Sequence, residues 1–521
     1  MTLTKVVLCL SAIPLWSGLA AGAADQVKID SGRLKGAVSG KVVAFKGIPF
    51  AAPPTGANRW RAPQPVESWR GVRPAVAYGP DCMQLPFPSD AAPLGTKPNE
   101  DCLYVNVWAP AKPHGKLPVM VWIYGGGFVN GGSSPAVYDG THFAERGIVL
   151  VSFNYRVGRF GFFAHPALAK ENPGGPLGNY TFMDQITALK WVRKNISRFG
   201  GDPGNVTIFG ESAGGHSVLT MMTSPAARGL FHKAIVESGG GRNLLGPMRR
   251  LRESSPDLPS AEAVGLAFAK KAGIEGEDQA ALDALRRLPS EKVVDGLNMT
   301  TMRSPTYSGP MLDGAIVVEA VEQAFEAGRQ AKVPLIAGAN SSDIGFSFAR
   351  TMDEVFAPFG ANRDKAQQVY NPGNSTDARA IGSLIASDKM MVEPARFIVR
   401  AMAAAGERAY EYRFSYVAES MREQWHGAPH ATEIPFVFNT VAARYGKELT
   451  AADAGIAEAA NAYWAAFAKA GDPNGAGRPD WPRYDPGGDV LMNFTERGPV
   501  AEPDAWKARL DLVEPAAQPQ K

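Results

Sequence analysis

A serine framed by small residues stands in the run Gly210-Glu211-Ser212-Ala213-Gly214. A serine hydroxyl is a weak nucleophile on its own. It becomes useful when a tight turn exposes it, a base takes its proton, and N–H donors receive the oxyanion that its attack creates. The five residues meet the first condition. Val206–Phe209 reads as a strand, and Gly215 to Met222 is small and apolar enough to begin a helix. A serine on a strand-to-helix turn has a strained backbone, and neighbouring Cβ atoms would clash, so glycines belong on either side. The chain has 56 glycines, which makes a bare match easy to find. The flanking strand and helix are what give this one weight. The helix start also directs amide N–H groups and the positive end of the dipole at the reacting centre.

Donors for an oxyanion are available in Tyr124-Gly125-Gly126-Gly127-Phe128, which follows a strand-like run from Pro118. Consecutive glycines let bare N–H groups come close to a carbonyl oxygen. The base should be a histidine, and there are seven: His114, His142, His165, His216, His232, His426 and His430. After a serine on such a turn, the chain order is serine, acid, histidine, which leaves the last four. His216 lies one helical turn beyond Ser212 and faces along the same helix. His232 comes too early to follow an acid from a later strand. His426 and His430 remain, and position does not separate them. The acid should follow a strand between Ser212 and these histidines. Val333–Ala337 is such a strand and leads through Gly338-Ala339-Asn340-Ser341-Ser342 to Asp343, the first candidate, with Asp313 and Asp353 behind it.

These side chains need a rigid frame. Val42–Phe45, Leu103–Trp108, Pro118–Tyr124, Val149–Asn154 and Val206–Phe209 are short apolar or β-branched runs bounded by turn residues. Pro118–Tyr124, Val149–Asn154 and Val206–Phe209 are apolar on both faces, as strands inside a covered sheet must be. Asp184–Phe199 has the period of a helix with one broad apolar face, and it stops at Gly200-Gly201. Alternating strands and helices predict an α/β architecture, a mostly parallel sheet with helices on both faces. Beyond Gly240 the chain is Ala-rich and helical in period at Ser260–Ala272, Gln279–Leu288 and Glu319–Gly328. Strands recur at Val333–Ala337 and Ala409–Phe414. We therefore expect one catalytic domain over 24–513, with cap insertions near 241–330 and 345–425 and a disordered tail at 514–521. Phe346, Phe348, Phe356, Phe359 and Met390 could line a pocket in that region or pack its core.

With 54 basic and 51 acidic residues the 521-residue chain carries a net charge of +3. Its densest basic cluster, Arg249, Arg250 and Arg252, reads as a solvated face, so nothing points to nucleic acid. Lys5, an apolar stretch from Val6 to Leu19, and Ala21-Gly22-Ala23 read as an export signal cleaved after Ala23. Secretion or a periplasmic location follows. Cys9 sits inside the apolar stretch after Leu8, where a lipid anchor would need a small residue. No later run is long enough to span a membrane. Cleavage leaves Cys82 and Cys102 in an oxidising compartment, where a disulfide is expected. Closing that loop is worth about 3 kcal/mol in the chain-entropy picture.

Taken together, several blocks resemble the type-B carboxylesterase family, a group on the α/β-hydrolase fold that includes para-nitrobenzyl esterases and cholinesterases. They are Gly47-Ile48-Pro49-Phe50-Ala51-Ala52-Pro53-Pro54, Asn99-Glu100-Asp101-Cys102-Leu103, Gly125–Phe128, Asn154-Tyr155-Arg156, and the stretch from Gly178-Asn179-Tyr180 to Gly215. The resemblance implies Ser212 as nucleophile and the N–H groups of Gly126, Gly127 and Ala213 as the oxyanion hole. His430-Ala431-Thr432-Glu433-Ile434-Pro435-Phe436 matches the family's His-x-x-Glu block, which selects His430 over His426. The acid falls on Asp343, where the family more often has Glu, and Ile344 replaces a following Gly. Glu211 and Ser238 match positions beside the triad. The family also pairs cysteines around a loop like Cys82–Cys102; here that loop holds Phe87 and lacks the tryptophan that stacks on choline. The implied activity is hydrolysis of a small carboxylic ester without metal or organic cofactor. Amidase chemistry would use the same residues, and the sequence leaves oligomeric state open.

Overall fold

A computed structural model describes residues 25–87, 91–113, 115–243 and 248–517. The export signal expected to end at Ala23 and residues 518–521 lie outside the described residues. Eleven strands form the central sheet: β1 (Ala37–Ser39), β2 (Val42–Pro49), β3 (Tyr104–Pro110), β4 (Leu117–Ile123), β5 (Val149–Phe153), β6 (Gly201–Glu211), β7 (Lys233–Glu237), β8 (Leu335–Asn340), β9 (Ala409–Phe414), β10 (Val490–Thr495) and β11 (Gly498–Pro503). Their spatial order is β11-β10-β9-β8-β7-β6-β4-β5-β3-β2-β1. From β5 to β10 every neighbouring pair is parallel. Both margins are antiparallel. β5 and β7 are buried along their whole length; β5 accordingly reads as an apolar run without alternation, whereas β7 begins with a lysine and ends with a glutamate and was not expected as a strand. β6 starts earlier than its apolar core suggests. Its register against β4 is irregular between Gly201 and Val206, where Asp202-Pro203-Gly204 hides the strand's beginning.

Helices cover both faces. Helix α1 (Tyr180–Asn195) starts four residues before the expected Asp184, because Tyr180, Thr181, Phe182 and Met183 are all buried. Helix α2 (Ala213–Thr223) leaves the end of β6 directly. Helix α3 (Glu393–Ala404) packs along β8 and β9. Helix α4 (Ala451–Ala470) begins with a capping box between Thr450 and Asp453 and lies on the opposite face. On β9, Tyr412 meets Trp464 of α4 at 5.3 Å between ring centroids, whereas its neighbour Glu411 feels the charge of Arg396 on α3. Successive residues of one strand thus address the two helical layers, as the pleat requires.

The last helix, α5 (Lys507–Ala517), corrects one expectation. Residues 514–517 are helical and not a tail. Leu510, Leu512 and Val513 join a second apolar cluster with Phe356, Phe359, Tyr370 and Ile385. Glu514 accepts hydrogen bonds from Arg396 (3.0 Å) and Arg400 (2.8 Å). Such long-range pairs leave no trace in local composition. Phe356 and Phe359 therefore pack a core, while Phe346 and Phe348 are 69% and 80% exposed.

The segment between β7 and β8, beyond Gly240, is fastened by arginines. Arg59 donates to the Leu288 carbonyl at 2.7 Å, and Arg159 to those of Val294 (2.7 Å) and Thr306 (2.8 Å). Arg286 grips Glu171 with two 2.7 Å bonds. Hydrogen bonding from Arg286, reinforced by Arg61 against the opposing effect of burial, holds Glu171 down to about 2. Among the described residues, no helix is long and apolar enough to cross a membrane.

Candidate active site

Ser212 occupies the turn between β6 and α2 with φ 57° and ψ −122°, a left-handed conformation unusual for a side-chain-bearing residue. Its N–H donates to the Glu237 carbonyl at 2.9 Å, which ties the turn to neighbouring β7. The glycines around it have no room for a side chain. A Cβ at Gly210 would lie 2.5 Å from the Ile123 carbonyl oxygen, and one at Gly214 only 1.9 Å from it. The triple-glycine loop leaves β4 beside the serine, so close that a Cβ on Gly125 would sit 3.0 Å from that of Ser212. Gly126 and Gly127 have φ of +107° and +59°, and the Gly126 carbonyl accepts from Val129 and Asn130 as the loop curls. Gly125, Gly126, Glu211, Ser212 and His430 all line one cavity of about 190 Å³. Ala213 opens α2 next to Ser212. Gly127 lies beneath Met299, whose sulfur would be 2.7 Å from a Cβ there.

The structure also separates the rival bases and acids. His430 Nδ1 lies 2.5 Å from Asp343 Oδ1. His426 is exposed at the surface. Asp313 caps its own turn, accepting from the N–H groups of Ala315, Ile316 and Val317, and Asp353 pairs with Arg363 at the surface. Two loops bring acid and base together. Ser342 N–H donates to the Ala428 carbonyl, Ala428 N–H to Ser341 Oγ (both 2.9 Å), and Asn340 Nδ2 to the Pro429 carbonyl at 2.6 Å. This zipper brings the shorter aspartate within reach of the imidazole. Ile344 has no positive φ, so that position requires no glycine.

Asp343 is buried and accepts from four donors: His430 Nδ1, the Ile344 N–H (2.7 Å), Ser238 Oγ (2.6 Å) and the Asn340 N–H (3.0 Å). Burial alone would raise its carboxyl, but the His430 charge and these bonds bring it below the usual aspartate value. The far side of the imidazole meets a second carboxylate, with His430 Nε2 3.0 Å from Glu211 Oε1. Burial disfavours the imidazolium, yet Glu211 and Asp343 together outweigh it and hold His430 well above its ordinary value. Ser238 and Glu211, both marked by the resemblance, thus touch the acid and the base respectively.

Behind this layer stand two more buried carboxyls. Glu237 accepts from Trp464 Nε1 at 2.7 Å and is pushed up to about 8 by burial. Glu433 accepts from Asn340 Nδ2 and is raised well above its usual value by burial and by the charges of Glu211 and Glu237. The part played by Glu237 was missed from sequence. A glutamate ending a wholly buried strand, Lys233–Glu237, was the signal that could have found it.

The cavity walls come from distant segments. Phe87, Ala91 and Ala92 belong to the loop closed by the Cys82–Cys102 disulfide, whose Cα atoms are 4.9 Å apart. Val137, Tyr138, Met299, Ala431, Ile434 and Pro435 supply most of the rest. Among the described residues, no lysine or arginine lines it. Among the described residues, no group of three or more His, Cys, Asp or Glu side chains could hold a metal ion.

Comparison with known proteins fits this arrangement. Residues 23–506 match the model of the carboxylesterase family. The chain belongs to that family. It is 36% identical over 488 residues to fumonisin B1 esterase of Sphingopyxis macrogoltabida, covering 90% of this chain and 86% of that one. It is 36% identical over 472 residues to the para-nitrobenzyl esterase of Bacillus subtilis (strain 168), covering 87% and 91% of the two chains. The solved structure of a PNB esterase superposes with a TM-score of 0.77 at 30% identity, spanning 94% of this chain and all of that one. The carboxylesterase is accordingly a carboxylic ester hydrolase on the α/β-hydrolase fold.

Proposed function

We propose that this carboxylesterase cleaves small, uncharged esters by a two-step acyl transfer through Ser212, His430 and Asp343. The observation that carries the reading is the 2.5 Å contact between His430 Nδ1 and a buried Asp343, in the same cavity as a serine on a left-handed turn. In the first step Ser212 Oγ bonds to the ester carbonyl carbon while its proton passes to His430 Nε2, which turns from Glu211 to the hydroxyl. The carbonyl oxygen takes up the displaced electron pair and is received by the N–H groups of Gly126, Gly127 and Ala213. The tetrahedral species collapses with loss of the alcohol, protonated by His430. Water then repeats the sequence on the acyl-serine, releasing the acid and restoring the hydroxyl. Asp343 fixes the imidazole's tautomer and orientation and stabilises the imidazolium. Glu211 adds a second negative charge beside that cation.

An apolar cavity lined by Phe87, Val137, Tyr138, Met299 and Ile434 favours uncharged acyl and alcohol groups. Among the described lining residues, none is a cation that could pair with an anionic acyl group. The N-terminal pattern through Ala23 and the Cys82–Cys102 disulfide support an exported enzyme, testable by sequencing the N-terminus of the mature protein. Ser212→Ala tests the chemistry. We expect turnover of an aryl acetate to fall by ~10⁴–10⁶ with the fold intact. Near-normal hydrolysis by that variant would sink the assignment.

A further inference from the structure

The cavity walls come from segments far apart in sequence, and one buried amide ties two of them to the glycine loop. Asn130 follows the triple-glycine loop and is 1% exposed. Its backbone N–H donates to the Gly126 carbonyl at 2.9 Å, closing the turn that presents the glycine N–H groups. Its side chain faces two other segments. Nδ2 donates to the Leu85 carbonyl at 2.7 Å and to Gln84 Oε1 at 3.2 Å, both in the disulfide loop. Oδ1 accepts the N–H of Met299, in the segment between β7 and β8, at 3.0 Å. Gln84 completes the joint: its Oε1 accepts from Gly131 N–H at 2.9 Å, and its Nε2 donates to the Gly131 carbonyl at 2.6 Å and to that of Cys82 at 2.9 Å.

Both tethered segments end in the cavity. Two residues past Leu85, Phe87 forms one wall, and Met299 itself forms another while packing over Gly127. A buried primary amide with three of its four hydrogen-bonding positions filled by three different partners has almost no rotational freedom. We propose that Asn130, locked by Gln84, is the positioning residue that sets the gap between the Phe87 and Met299 walls, and so decides how bulky an ester the enzyme accepts. This rests on the reading of Ser212 as nucleophile, because the gap matters only if substrate enters there. An aspartate would keep the Met299 acceptor but set a carboxylate against the Leu85 carbonyl and Gln84 Oε1, releasing the disulfide-loop wall alone. An alanine would release both.

The test uses the full-length enzyme carrying Asn130→Ala, Asn130→Asp or Gln84→Met, with active sites counted by a small organophosphonate. Each is assayed on vinyl acetate, too small to touch both walls, and on a naphthyl butyrate, which must fit between them. Per titrated site, vinyl acetate turnover should stay within about threefold. The ratio of kcat/KM for the two esters should shift by about tenfold, mostly through KM, the usual scale for a pocket contact. Asn130→Ala and Gln84→Met combined should shift it scarcely more than Asn130→Ala alone, as members of one joint do. If Asn130→Ala does not fold, Gln84→Met and Asn130→Asp carry the test. Equal losses on both esters, an unchanged ratio, or additive effects would overturn the proposal. If no site titrates even in the unaltered enzyme, the Ser212 reading fails first and separately.

Discussion

Replacing Glu211 with glutamine probes the pairing of His430 with a carboxylate on each side. Glu211 Oε1 lies 3.0 Å from His430 Nε2, and the two side chains are 4% and 17% exposed. Two unit charges about 4 Å apart interact by ~4 kcal/mol at an effective dielectric near 20. Glutamine still offers an oxygen to Nε2, so part of this survives, and an opposite charge at such range shifts a pKa by about 1–3 units. The sign follows from the chemistry. His430 must be neutral to accept the Ser212 proton, and both carboxylates favour its charged form. The acid limb of kcat/KM in the unaltered enzyme should therefore lie above the ordinary imidazole value of about 6.5. In Glu211→Gln that limb should move to lower pH by about 1–2 units, since only Asp343 still favours the cation. On the alkaline plateau kcat should fall, because the imidazolium of the transition state has lost a partner. The assay is a pH profile of aryl acetate hydrolysis from 5 to 10, with active sites titrated. An unmoved acid limb would refute the claim that Glu211 controls the charge of His430.

Asp343→Asn keeps the shape of the acid but removes its charge, and should lower kcat by ~10⁴ with a near-normal KM; a loss below tenfold would move the acid's role elsewhere. Glu237, buried and raised to about 8, keeps its proton in the folded enzyme between its ordinary value of 4.5 and about 8, whereas the unfolded chain releases it. Stability from this group is thus lost as pH rises through that window. Calorimetry of Glu237→Gln should show a Tm that falls less steeply from pH 5 to 8 than that of the unaltered enzyme, and parallel slopes would contradict this.

Much of the frame was legible because buried strands announce themselves. Val149–Phe153 is covered on both faces, so its residues carry the pattern whatever the chain does elsewhere, whereas Lys233–Glu237, equally buried, escaped notice because a lysine and a glutamate bound its three apolar residues. The nucleophile turn was legible for a related reason: backbone crowding at Gly210 and Gly214 dictates residue type locally. Spacing alone left His426 and His430 tied. What separates them is the zipper between the Ser341–Ser342 and Ala428–Pro429 segments, a contact across 87 residues. The ion pairs that make Glu514 part of a helix reach back more than a hundred residues, so composition there read as a tail. The joint at Asn130 and Gln84 was hidden for the same reason. An asparagine after a glycine-rich loop looks like turn chemistry until its partners at 85 and 299 are known.

The account stands on Ser212 being the activated residue of the cavity. Incubation with a fluorophosphonate followed by peptide mass spectrometry reads this directly. One stoichiometric adduct should form on the peptide containing Gly210-Glu211-Ser212-Ala213-Gly214, and it should vanish in Ser212→Ala. An adduct on another residue, or none from an enzyme that hydrolyses esters, would contradict it.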